Sequence, residues 1–229
     1  MHTHEDVRAM ARTNYGYGRW DAPYWFIGPE QGMGSHEKDL GLRVTAWLDL
    51  GRLELNDCRE FHRRIGEKRW HFEAPKVSLQ RTWRPLILLL MTYLERPTDR
   101  ESLRSYQRDR WGAVDTVQGE TCLIELSGLA APNLMTAEDG RLFLGERIDL
   151  IRQRMRDHKP KLIVMYGDLQ LASWEAIVAP LSFAHDKVLT DGSTVLACTP
   201  HPNKRGLYDT YWTELGQKLR SLKAIQTTG

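Results

Sequence analysis

Cysteine is scarce: Cys58, Cys122 and Cys198 are the only three in 229 residues, widely separated and with no Cys-x-x-Cys pair. That excludes a disulfide framework, a zinc ribbon and a dithiol redox motif, and the three are expected to be reduced, buried thiols. Long hydrophobic runs are also missing. The strongest, Pro85 to Met91, is far short of the roughly 20 apolar residues of a membrane-spanning helix. The first residues, Met1-His2-Thr3-His4-Glu5-Asp6, lack a basic region followed by an apolar core, so no secretory leader is expected and the expected location is cytoplasmic, without a membrane partner. A formal net charge of +2 is too small to supply the electrostatic footprint of a nucleic-acid binder, so any such surface must be local. No internal repeat or low-complexity tract is evident. His2 and His4 are read as a frayed terminus, and His36, His62, His71 and His185 carry no ligand spacing. The expectation is no metal and no organic cofactor.

What is present is ordinary for a globular protein. With 41% hydrophobic and 27% charged residues, the chain is expected to form one α/β domain over residues 1–229. A short helix around Val7 to Arg12 leads to Gly16-Tyr17-Gly18, which breaks the pattern. Strand candidates follow at Tyr24 to Ile27, Thr121 to Leu126, Lys161 to Tyr166 and Thr194 to Cys198. The Lys161 run is almost continuously apolar, as in a sheet covered on both faces. Helices are expected at Leu42 to Leu50, Leu79 to Leu94, Glu146 to His158, Leu169 to Val178 and Asp209 to about Ala224. In the third of these Ile148, Ile151 and Met155 share a face, with Arg147, Arg152, Arg154 and Arg156 largely outside. Asp168 is a reasonable cap for the fourth. Strands alternating with helices indicate a three-layer α/β/α sandwich with a mainly parallel sheet, and residues 35–115 read as a mostly helical insertion.

Two strand candidates end alike. Tyr24-Trp25-Phe26-Ile27 stops at Gly28-Pro29-Glu30-Gln31-Gly32, and Val195-Leu196-Ala197-Cys198 stops at Thr199-Pro200-His201-Pro202-Asn203. In an open α/β sheet ligands bind beyond the carboxyl ends of strands, so Glu30 and His201 can face one crevice. The helical insertion interleaves bases with aromatics: Arg63, Arg64, Lys68, Arg69 and Trp70, then Arg100, Arg104, Arg108, Arg110 and Trp111. Such mixing suits a nucleic-acid backbone with stacked bases. The plainer alternative is solvated helix faces with tryptophans anchored in the core.

Four segments taken in order, Phe26 to Gly32, Cys122 to Asn133, Ile148 to Gly167 and Cys198 to Leu222, resemble the uracil-DNA glycosylase superfamily, most closely its bacterial branches. Lys159-Pro160-Lys161-Leu162-Ile163-Val164-Met165-Tyr166-Gly167 is similar to a typical Pro-Lys-Val-Ile-Val-x-x-Gly segment. Thr199-Pro200-His201-Pro202-Asn203, followed by an Arg and by a Trp in the last helix, is similar to the family's His-Pro-Ser loop. The resemblance implies a uracil-DNA glycosylase-like fold and hydrolysis of the N-glycosidic bond of a damaged or deaminated base in DNA. It implies Glu30 and His201 as catalytic groups, and Gly28, Pro29, Gln31, Gly32, Glu125 and Asn203 around the base. It implies Lys204, Arg205 and Leu207 against DNA, with Leu207 or Arg205 as the wedge that enters the duplex. No Lys stands in a recognisable nucleophile motif, so the expected enzyme is monofunctional, and no obligate protein partner is inferred. The chain departs from the family in two places. Glu125 stands where many members carry an Asn that reads the uracil edge, and Asn203 replaces the usual Ser. A non-catalytic nucleobase, nucleotide or DNA-binding module of the same fold, or a hydrolase of a small nucleoside-like ligand, are the alternatives.

Overall fold

The computed structural model describes residues 3–30, 36–71, 77–129, 142–184 and 187–226. In chain order the elements are α1 (His4–Thr13), β1 (Gly16–Gly18), β2 (Tyr24–Gly28), α2 (His36–Asp49), β3 (Leu55–Asn56), α3 (Cys58–Arg64), α4 (Trp83–Tyr93), α5 (Arg100–Asp109) and β4 (Thr121–Glu125). They continue as α6 (Leu144–His158), β5 (Leu162–Tyr166), a 3-10 turn (Asp168–Gln170), α7 (Leu171–Val178), β6 (Val188–Thr190), β7 (Val195–Thr199) and α8 (Asp209–Gln226). The seven strands form one sheet in the order β3-β1-β4-β2-β5-β7-β6. Neighbours β4, β2, β5 and β7 pair in parallel, as do β1 and β3, while β1–β4 and β6–β7 are antiparallel.

Strand alternation builds two cores, because successive side chains point to opposite faces. Phe26, Leu123, Val164 and Ala197 face one side, where Trp47, Phe61, Leu86 to Met91, Trp111 and Trp212 cover them. Trp25, Ile27, Cys122, Ile124, Ile163, Met165 and Leu196 face the other, beneath Ile151 of α6 and Trp174 and Ile177 of α7. The result is an α/β sandwich with helices packed on both faces. All five residues in each of β2, β4, β5 and β7 are buried, which is why their sequences run apolar instead of alternating. α4 is buried from Pro85 to Met91, where it packs against α8 and α5 within the core on one face of the sheet, and each of its fully buried leucines contributes roughly 1.5–3 kcal/mol. No helix among the described residues is long and apolar enough to cross a membrane. Cys58, Cys122 and Cys198 are buried free thiols.

Several expectations need correction. Gly16-Tyr17-Gly18 is a strand, not a break. Gly16 and Gly18 have φ of +134° and +93°, and a Cβ on either would lie 2.2 or 2.1 Å from a carbonyl oxygen of β4. Glycine therefore permits the close antiparallel pairing that a side chain would block. Helix α4 starts at Trp83 instead of Leu79, because Gln80 Oε1 accepts from the main-chain N–H groups of Thr82 and Trp83 and ends the preceding loop there. Asp168 caps no helix; its carboxylate accepts from Lys204 Nζ at 2.6 Å. Region 36–109 is largely helical, yet it also supplies β3 to the sheet edge.

The largest correction is Arg147, placed outside by helical periodicity and in fact 0% exposed. Its Nε donates to Leu126 O at 2.7 Å, Nη1 to Ala11 O and Arg12 O at 3.2 Å each, and Nη2 to Asn14 O at 2.9 Å and Glu125 O at 2.7 Å. Its guanidinium carbon lies 4.0 Å from the Tyr15 ring centroid. The carbonyls of Ala11 and Arg12 belong to the last turn of α1, where no intrahelical donor exists. A cation there is favoured by the helix dipole as well. Arg147 thus ties the end of α1 to the end of β4.

Candidate functional site

The carboxyl ends of β2, β4, β5 and β7 bring Gly28-Pro29-Glu30, Glu125, Tyr166-Gly167 and Thr199-Pro200-His201 to one edge of the sheet. Gly28 sits opposite Glu125 in the β2–β4 register, and Tyr166 opposite Thr199 in β5–β7. Main-chain bonds lock the strand ends together: Leu126 N donates to Gly28 O and Ser127 N to Pro29 O, both at 2.9 Å, and Gly167 N to Thr199 O at 2.9 Å. A Cβ built on Gly28 would lie 2.2 Å from the Tyr166 hydroxyl and 2.7 Å from Glu125 Oε2. Glycine at this position therefore lets a phenol and a carboxyl group converge over the end of β2.

Glu125 is buried, and its Oε2 has no hydrogen-bond partner among the described residues. Burial raises its pKa from the ordinary 4.5 to about 8, the Glu30 carboxylate adds to the rise, and Arg147 and Arg43 oppose it. The acid is therefore held protonated at neutral pH, with one O–H to donate and one carbonyl oxygen to accept. Tyr166 is pushed well above its ordinary range by burial and by the same two carboxylates. Its ring packs edge-on against His201, with centroids 5.7 Å apart. His201 is half-buried, and its Nδ1 accepts the main-chain N–H of Asn203 at 3.2 Å. Because a main-chain N–H can only donate, this bond puts the proton of the neutral ring on Nε2. Burial lowers the His201 pKa, favouring that neutral form.

Of the residues singled out from sequence, Gly28, Pro29, Glu30, Glu125 and His201 share this edge. Gln31 and Gly32 lie outside the described residues, as do Asn133 and His185. Asn203 follows His201 but turns its side chain away, donating from Nδ2 to Thr82 Oγ1 at 2.9 Å. Lys204 is engaged with Asp168. Leu207 is partly buried against the core, whereas Arg205 is exposed and Tyr208 is 74% exposed. Of the three DNA-facing candidates, Lys204 and Arg205 are thus exposed, and Leu207 packs partly against the core.

Sequence reading missed Tyr166 and Arg147. Tyr166 had a usable signal, since it is the last residue of an apolar run that stops at Gly167, the pattern that singled out Glu30 and His201. Arg147 had none, because its carbonyl partners lie more than twenty residues away in β4 and further still in α1. A second overlooked group is Cys58, His62 and His71, all buried, offering ligand atoms within 4.8 Å of one another. The arginine-rich insertion is largely neutralised locally: Arg63 and Arg64 pair with Glu60, Arg69 with Glu67, Arg104 with Glu101 and Arg108 with Asp109, while Trp111 is buried. The pairs on α3 and α5 lie on solvated helix faces, the Arg69–Glu67 pair lies in the turn after α3, and Trp111 is anchored in the core.

No protein-family model matches the chain, and no curated protein is a significant match to it.

Proposed function

We propose that the protein is a uracil-DNA glycosylase-like enzyme that hydrolyses the N-glycosidic bond of a flipped-out base at the crevice lined by Gly28, Glu30, Glu125, Tyr166 and His201. The observation carrying this reading is the convergence, at the ends of parallel strands, of a buried Glu125 carboxyl group with an oxygen unpartnered among the described residues, the Glu30 carboxyl group and a histidine oriented by the Asn203 main chain. Departure of a base from deoxyribose develops positive charge on the sugar and negative charge on the base. Glu30 in its ionised form faces the first of these charges and orients water. His201 donates from Nε2 to the carbonyl oxygen of the departing base. In this reading Glu125 can stand in for the family's Asn: a neutral carboxylic acid carries one donor and one acceptor, the pair through which an amide reads the edge of uracil. Two carboxylates held in different protonation states by their surroundings can divide acid and base work between them.

The local pairing of the insertion's arginines favours a second reading, hydrolysis or binding of a free nucleoside-like ligand, which needs no cationic surface. One experiment separates the two. The purified protein is incubated with labelled single- and double-stranded oligonucleotides carrying uracil, hypoxanthine, xanthine or mismatches, then treated with alkali to cut abasic sites. The expected result is strand scission at one lesion type, abolished by His201→Ala. Folded protein that cuts none of them overturns the glycosylase reading and leaves the small-ligand one.

A further inference from the structure

Beside β1, away from the strand ends, Cys58, His62 and His71 form a cluster with its own chemistry. Cys58 opens α3 and His62 lies one turn on, so both side chains project from the same helix face. His71 comes from the segment after α3. Cys58 Sγ lies 3.5 Å from His62 Nδ1 and 3.8 Å from His71 Nε2, and all three residues are at most 6% exposed. Trp83 closes the group, its ring centroid 5.3 Å from that of His62 and 5.9 Å from that of His71, and Tyr17 lies 5.4 Å from His62.

We infer that Cys58, His62 and His71 form a zinc-binding site. Zn–S bonds of about 2.3 Å and Zn–N bonds of about 2.0–2.1 Å at tetrahedral angles separate sulfur from nitrogen by about 3.5 Å. The Cys58–His71 spacing is already close to that edge. One thiolate and two imidazoles form a donor set suited to zinc. Before metal binding His62 Nδ1 donates to the Cys58 carbonyl oxygen at 2.6 Å; coordination at that nitrogen replaces this bond, and the proton of the neutral ring moves to Nε2. Binding breaks the Cys58 S–H bond, forms a Zn–S bond and releases one proton to solvent, while both imidazoles bind as neutral lone-pair donors. Three protein ligands leave the fourth tetrahedral position to a solvent molecule. The ion would fasten the His71 segment to α3, which is itself tied to the end of the insertion by Cys58 N donating to Gly112 O at 3.0 Å.

The test uses the full chain with His2 and His4 replaced by alanine, so that the terminus contributes no ligands. After stripping with chelator and dialysis against zinc, one ion per chain is expected by elemental analysis. Cobalt loading should give the intense thiolate-to-metal charge-transfer band and tetrahedral d–d bands. Cys58→Ser should abolish the charge-transfer band and Cys122→Ser should keep it, while His71→Gln should reduce bound zinc to a small fraction. Should those variants fail to fold, X-ray absorption at the zinc edge of the otherwise wild-type protein decides, with one sulfur and two imidazole nitrogens expected. Folded protein that retains no zinc, a sulfur-free shell, or a charge-transfer band surviving Cys58→Ser overturns the assignment.

Discussion

Replacing Glu125 by glutamine tests the electrostatics of the strand-end site directly. In the folded protein the Glu125 carboxyl titrates at about 8 against an ordinary 4.5, because it is buried beside the Glu30 carboxylate. Between those two values the native state keeps a proton that the unfolded chain has released, so stability falls as pH rises. Whatever the neutral acid contributes is fully present below pH 4.5 and is lost as pH climbs through about 8. The slope across the window is roughly 1.4 kcal/mol per pH unit, so at pH 7 the native protein is destabilised by about 3 kcal/mol relative to acid conditions through this group alone. Glutamine has the same shape and no titration. Glu125→Gln should therefore match wild type in stability near the acid end of the window and exceed it by about 3 kcal/mol at neutral pH. Urea unfolding of both proteins across the window measures the difference. A gap that stays constant with pH would refute the claim that Glu125 is held neutral. In the glycosylase reading the same variant keeps base binding, since the amide also offers one donor and one acceptor to the base edge, whereas Glu125→Ala loses it.

Arg147→Met removes the donors to five buried or partly buried main-chain carbonyls and should cost about 3–5 kcal/mol in urea unfolding; a loss under about 1 kcal/mol would show that water or other groups replace it. Gly28→Ala puts a methyl 2.2 Å from the Tyr166 hydroxyl and 2.3 Å from its Cζ. It should cost about 1–3 kcal/mol. Tyr166→Phe should not rescue it and Tyr166→Ala should, and rescue by phenylalanine would mean that the clash is confined to the hydroxyl. His201→Asn should lower turnover about 100- to 1,000-fold. In the wild type, the acid limb of the pH–rate profile should fall below the ordinary histidine value of 6.5. An acid limb that persists unchanged in the variant assigns it to another group.

Legibility in the sequence followed the range of the interactions. The strands β2, β4, β5 and β7 could be read because burial on both faces makes each a continuous apolar run, and Gly28-Pro29, Gly167 and Pro200 punctuate three of their ends. α8 was readable for a similar reason, its stripe of Trp212, Leu215 and Leu219 repeating at helical spacing. The strands that escaped are short: β3 has two residues, and β1 and β6 have three each. They are held by pairing with neighbours rather than by any pattern of their own. Glu30 and His201 were visible as lone ionisable groups at strand ends. The state of Glu125 was not, because it depends on burial and on Glu30, which approaches through sheet register and not through sequence. Cys58 and His62 stand at helical spacing, but His71 joins them only through the path of the chain after α3.

An arginine beside a buried carboxyl group ordinarily lowers its pKa, and here burial prevails instead. The reason lies in where the Arg147 donors go. Its five N–H bonds all end on main-chain carbonyls, among them the carbonyl of Glu125 itself. None remains for the Glu125 carboxylate, so the guanidinium acts on it only through space, while desolvation and the Glu30 charge act in the opposite direction. The same residue that fixes the end of β4 therefore leaves its acid protonated. An arginine hydrogen-bonded to the carboxylate would have ionised it and turned the strand end into an acceptor-only site. In the proposed reaction Glu125 then recognises the base as a neutral donor and acceptor, and Glu30, nearer solvent, carries the negative charge that faces the sugar. In that reading the bonding of Arg147 to main-chain carbonyls leaves burial and the Glu30 charge to keep Glu125 neutral, and so supports the division of roles between the two carboxyl groups.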